Sequence, residues 1–130
     1  TLDAVSIYNC IMRLRDKTLN SASAAVTTYL THLVNDYRSY TVEEYHRVPD
    51  KDAAFYTVTG TKRLKVVKRM YEDSDSAHSW IVTKDDPKLG HVVGDILKAA
   101  TWKAPATNYT RGNVFSPDSY TERARWTGVS

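Results

Sequence analysis

Five cations fall within eight residues, Lys62, Arg63, Lys65, Lys68 and Arg69, with no acid among them. On a strand, successive side chains alternate between faces. Arg63, Lys65 and Arg69 then share one face and Leu64, Val66 and Met70 the other, with Lys68 on that second face near its end. Such a stripe can displace the counterions condensed along a nucleic-acid backbone. It equally fits a solvated sheet face, or an edge that Lys guards against aggregation.

A second cluster runs Gly94-Asp-Ile-Leu-Lys-Ala-Ala-Thr-Trp102-Lys-Ala-Pro-Ala106 and continues through Asn108, Arg111, Gly112 and Asn113. A strand ends in a Trp and passes through a Pro-containing loop to an Arg-Gly-Asn turn, holding an aromatic plane close to cations. Single-stranded nucleic acids are gripped by aromatic platforms beside basic grooves, and Trp80, Trp102, Trp126, Lys98, Lys103 and Arg111 offer both parts. The competing reading buries each Trp in the core, because its ring covers so much surface, and uses Arg111 only to tie the loop to backbone carbonyls.

The string from His78 to Val82, the Gly94 to Ala106 string and Arg111-Gly-Asn-Val-Phe115 together resemble a recurrent family of small, uncharacterised proteins encoded by tailed bacteriophages. The similarity runs from about Phe55 to Gly128 and is less clear in the first half of the chain. The resemblance implies a phage origin and a shared fold. It marks Trp102 and Arg111 as important without giving either a role.

Other chemistries find less support. His32, His46, His78 and His91 fall on different expected elements without metal-ligand spacing, so no metal and no cofactor is expected. A His78 and Lys98 pair would suit acid-base and phosphate-stabilising work in RNA cleavage if their strands were neighbours, although a strand His usually serves structure. Asp73 with Asp75, and Asp85 with Asp86, read as turn residues that bond their own backbone. The five glycines never assemble into a phosphate-binding loop. The single cysteine, Cys10, has no partner for a disulfide within the chain and fits a reducing compartment.

The elements that must position these residues divide the chain near residue 41. Val26, Tyr29, Leu30, Leu33, Val34 and Tyr37 recur at the spacing of one helical face, with Ser21 or Ser23 as cap and Ala24 and Ala25 at the start. An earlier helix is expected over residues 3–17, its stripe formed by Val5, Tyr8, Ile11 and Met12. Beyond Tyr40 come short β-branched and aromatic runs, expected as strands over 43–48, 55–59, 63–71, 78–84, 95–101 and 123–127. Pro49-Asp50, Gly60, the polar stretch 72–76, Asp86-Pro87 with Gly90, and Pro105 punctuate them. The expected fold is one α+β domain over residues 1–130: N-terminal helices, residues 1–40, packed on a bent antiparallel sheet or small open barrel, residues 41–130.

Residues 1–60 hold 6 Lys/Arg against 7 Asp/Glu and residues 61–130 hold 12 against 8, so the second half carries the net charge of +3. That excess is too mild for an obligate nucleic-acid coat, but it permits an anionic partner. No apolar run approaches the roughly 20 residues that span a bilayer, so no membrane is expected as partner. The expected location is the host cytoplasm or a virion. Two functions fit: a non-enzymatic phage protein binding single-stranded nucleic acid through Lys62, Arg63, Lys65, Arg69, Lys98, Trp102, Lys103 and Arg111; or a structural or interaction component meeting a host or virion protein. The second would use a Tyr-rich helical face around Tyr29, Tyr37, Tyr40 and Tyr45, and leaves a homo-oligomer open.

Overall fold

A computed structural model describes residues 23–44, 46, 53–70 and 74–130. The helix expected over 3–17 and Cys10 lie outside the described residues, as do residues 45, 47 and 48 of the strand expected over 43–48. Helix α1 spans Ser23–Arg38. Its stripe behaves as the spacing dictates: Val26, Tyr29, Leu30, Leu33 and Tyr37 are buried, and Val34 packs against them. The helix continues through a π-helical turn, Ser39–Glu44, so Glu43 and Glu44 extend a helix rather than open a strand. Within that turn the Thr41 hydroxyl donates to the Tyr37 carbonyl at 2.7 Å, a back-bond of the kind that bends a helix.

Four antiparallel strands follow in sequential order: β1 Ala54–Thr59, β2 Arg63–Met70, β3 Ser74–Val82 and β4 Ile96–Lys98. β1 and β4 are the two edges of this sheet and do not pair, so the sheet is open rather than a closed barrel. A second, two-stranded sheet joins β5 Ala124–Arg125 to β6 Gly128–Val129. The single strand expected over 123–127 is therefore a tight hairpin that folds back at Trp126 and Thr127. The polar stretch expected as a turn over 72–76 also differs: Ser74, Asp75 and Ser76 belong to β3, paired with Met70, Arg69 and Lys68. Backbone hydrogen bonds to a neighbouring strand are indifferent to side-chain polarity, and these residues take them.

One face of the main sheet carries the core. Phe55, Leu64, Val66, Ile81 and Ile96 meet the buried stripe of α1 and the C-terminal residues Val114, Tyr120, Ala124 and Val129. Each large aliphatic side chain buried there contributes roughly 1.5–3 kcal/mol. Tyr29 and Tyr120 meet edge to face, ring centres 5.1 Å apart. The C-terminal hairpin is tied to α1 by polar clamps: Asp36 accepts from the Trp126 backbone N–H at 2.8 Å and pairs with Arg125, and the His32 ring bonds the Ala124 carbonyl at 2.7 Å.

The opposite face has its own small apolar cluster, Trp80, Val82 and Leu97, with Ala77 and Ala99 against it. Strand alternation separates the two faces until β3 bulges. Ser79 pairs with Val66, but Ala77 pairs with the next residue, Val67, which leaves His78 as the extra residue. Both His78 and Ser79 consequently turn toward the helix. The His78 ring sits edge-on to Tyr29 and Phe55, and the Ser79 hydroxyl bonds that of Tyr29 at 2.8 Å.

Candidate nucleic-acid interface

The residues after β4 fold back along it. The Ala106 N–H donates to the Lys98 carbonyl at 2.8 Å, and the Arg111 N–H to the Ile96 carbonyl at 2.7 Å. Between them, the turn over residues 100–104 closes on itself: Ala100 and Thr101 donate backbone N–H groups to the Ala104 carbonyl, while Thr101 Oγ1 accepts from the N–H of Lys103 and of Ala104. This turn carries Trp102, whose side chain stays 47% exposed.

Much of the Gly94 to Phe115 sequence pattern holds this loop system in place. Gly94 has a φ of +95°, and a Cβ there would meet the Phe115 ring and Asn113 Oδ1 at 2.7–2.8 Å. Asp95 accepts from the Val92 N–H and the Asn113 side-chain amide, whose oxygen accepts from the Phe115 N–H. Gly112, at φ +132°, passes so close to Ser119 that a Cβ would lie 2.9 Å from its carbonyl oxygen. Asp95 and Asn113 are thus a clasp between two loops.

On the sheet face away from α1, the Lys65 ammonium lies 3.8 Å from the centre of the Trp102 ring and 5.3 Å from that of buried Trp80. A cation at that distance over an indole contributes about 0.5–2 kcal/mol and holds the ring in place. Beside this stack, a groove of about 350 Å³ is lined by Lys62, Arg63, Trp80, Lys103 and Pro105. Among the described residues, none of these cations, nor Lys65, is in an ion pair. The groove therefore presents uncompensated positive charge next to a half-exposed aromatic plane.

Against Trp102 lies a second recess of about 420 Å³, lined by Ala77, Ala99 and Ala100 together with Trp102 and Asp75. Asp75 does not act as a turn residue. Arg69 donates to both its oxygens, at 2.7 and 3.1 Å, and the Tyr56 hydroxyl adds a third bond at 2.8 Å. The Arg69 guanidinium, followed by the Tyr56 hydroxyl, holds the Asp75 carboxyl below the usual carboxylate range.

Six of the eight candidate side chains thus share one side of the sheet: Lys62, Arg63, Lys65, Trp102 and Lys103 around the stack, and Arg69 at its margin. The other two stand apart. Lys98 pairs with Ser79 on β3, which turns its side chain to the helix side, where it lines a different cleft with His78, Arg123 and Arg125. Arg111 is 94% covered, its guanidinium 3.8 Å from the centre of the Tyr109 ring and its Nε without a partner. Trp126 packs against Tyr37 and Tyr40 beside the core.

His78 and Lys98 do lie on neighbouring strands, yet both His78 ring nitrogens are engaged, Nδ1 with Ser79 Oγ at 2.9 Å and Nε2 with the Arg125 carbonyl at 2.7 Å. Burial, with help from the Lys68 charge, lowers its pKa to about 4. A ring so held is neutral at neutral pH and has neither nitrogen open to a substrate. Of the Tyr-rich helical face, Tyr29 and Tyr37 are buried in the chain's own core, Tyr40 is exposed, and Tyr45 lies outside the described residues. Among the described residues, no three His, Cys, Asp or Glu side chains are grouped to hold a metal ion, and no helix is long and apolar enough to cross a membrane.

Asp75, Tyr56 and Thr101 escaped sequence reasoning. The registers of β1–β2 and β2–β3 together would have found the first two, since they set Asp75 opposite Arg69 and Tyr56 on the same face beside them. No local signal marks Thr101.

The chain belongs to a family of unknown function, DUF7717, whose model matches residues 8–130. No curated protein and no solved structure matches it.

Proposed function

We propose that the chain is a non-enzymatic protein that binds single-stranded nucleic acid across the sheet face opposite α1. The observation that carries this reading is the half-exposed Trp102, backed by the Lys65 ammonium at 3.8 Å beside the groove of Lys62, Arg63 and Lys103. An unpaired base stacks on the free side of the indole while its flanking phosphates run along the groove. A duplex, whose bases are already stacked, has no use for the ring and binds by charge alone. Lys98 and Arg111 are not part of this surface. The reading includes a tailed-phage origin and a place in the host cytoplasm or virion, which rest on the sequence strings alone.

The test is a titration of labelled single- and double-stranded DNA and RNA at low and physiological salt. Single-strand binding that survives physiological salt and weakens in Trp102→Ala supports the reading. Absence of binding even at low salt sinks it.

A further inference from the structure

The recess lined by Trp102 and Asp75 borders the platform, and its donors and acceptors are incompletely used. Asp75, an acceptor-only carboxylate with about four lone-pair sites, takes three bonds, one on Oδ1 and two on Oδ2. One site on Oδ1 is open. The Arg69 partner keeps the group ionised and its geometry fixed. Across the recess, Thr101 Oγ1 accepts two backbone N–H groups, so its own O–H proton is left to donate. The floor is Ala77, Ala99 and Ala100, and side chains that small leave a slot beside a flat aromatic wall. Its volume falls within the roughly 300–1,000 Å³ that small-ligand sites occupy.

We infer that this recess receives the base stacked on Trp102 and selects one bearing an exocyclic amino group, with Asp75 as acceptor for that amine. The inference rests on the nucleic-acid reading above and adds to it a preference for cytosine, adenine or guanine over thymine or uracil. A carboxylate accepts well from an amine such as cytosine N4. In thymine and uracil the only N–H on the pairing edge is flanked by two carbonyl oxygens, which a carboxylate repels. The Thr101 hydroxyl supplies the complementary donor for a ring nitrogen or carbonyl.

The experiment compares oligo(dC) with oligo(dT) of equal length by fluorescence anisotropy at one salt concentration. Oligo(dC) is expected to bind about tenfold more tightly, the worth of one charge-assisted hydrogen bond. Asp75→Ala, a substitution outside the core, should abolish the difference while oligo(dT) affinity holds or rises. Trp102→Ala should weaken both ligands together. Equal binding of the two oligomers, a preference for oligo(dT), or a preference that persists in Asp75→Ala overturns the inference and leaves nucleic-acid binding standing. If neither oligomer binds at low salt, the nucleic-acid reading itself falls, and the inference with it.

Discussion

His78 Nε2 lies 2.7 Å from the backbone carbonyl of Arg125, and that contact sets the direction of a buried hydrogen-bond chain. A carbonyl only accepts, so Nε2 carries the proton and Nδ1 is bare. Nδ1 then takes the Ser79 hydroxyl proton, and Ser79 Oγ takes that of Tyr29. The chain joins α1, β3 and β5.

Protonating His78 breaks this chain, which makes stability depend on pH. The folded-state pKa of about 4 lies below the unfolded value of 6.5, so the unfolded chain binds the extra proton first. The contribution is complete above pH 6.5 and is lost as pH falls toward 4. At 1.36 kcal/mol per unit, the decline between pH 6.5 and 5 is about 2 kcal/mol. Urea unfolding across that range should show it, and His78→Gln should flatten the slope over the same window.

Tyr29→Phe keeps the buried ring and removes only its hydroxyl, so the Ser79 oxygen loses its donor. The expected cost is about 1 kcal/mol, measurable as a lower urea midpoint with an unchanged m-value.

Gly94→Ala should cost more. The backbone at φ +95° is strained for any L side chain, at roughly 1–3 kcal/mol, and the added carbon must also displace Phe115 and Asn113. Loss of the clasp should loosen the Trp102 loop too, so the variant's tryptophan fluorescence should shift before global unfolding in a urea titration.

Binding should separate the two sides of the sheet. Replacing Lys62, Arg63 and Lys103 together by Ala should lower the slope of log affinity against log salt by about 2, given about 0.7 per phosphate neutralised on a single strand. Lys98→Ala, on the helix side, should leave single-strand affinity within about twofold. A loss with Lys98→Ala equal to that with Lys103→Ala would move the binding surface to the other face.

Much of this architecture is legible in the sequence. The α1 stripe follows from periodicity, and the bounds of β1 and β2 from β-branched runs divided by the turn at Gly60. The hydroxyl of Thr41 and the pairing of Ser74 to Ser76 were hidden, since both depend on backbone bonds that composition does not encode. The bulge at His78 was hidden as well: alternation puts His78 and Ser79 on opposite faces, and only the pairing with β2 shows the extra residue. The stack of Trp102 on Lys65 joins residues 37 positions apart through a loop turn, beyond the reach of any spacing rule. The basic stripe was visible in the sequence, but not that Lys98 would leave it or that Arg111 would be covered.

Strand β2 carries two independent messages in alternate letters. Leu64, Val66 and Met70 are read by the helix, whereas Arg63 and Lys65 are read by whatever meets the far side. Mutational drift in one register therefore leaves the other intact. A library randomised at Lys62, Arg63, Lys65 and Lys103 would explore new ligands while every member kept the same scaffold, and the ligand choice of relatives can diverge faster than their fold.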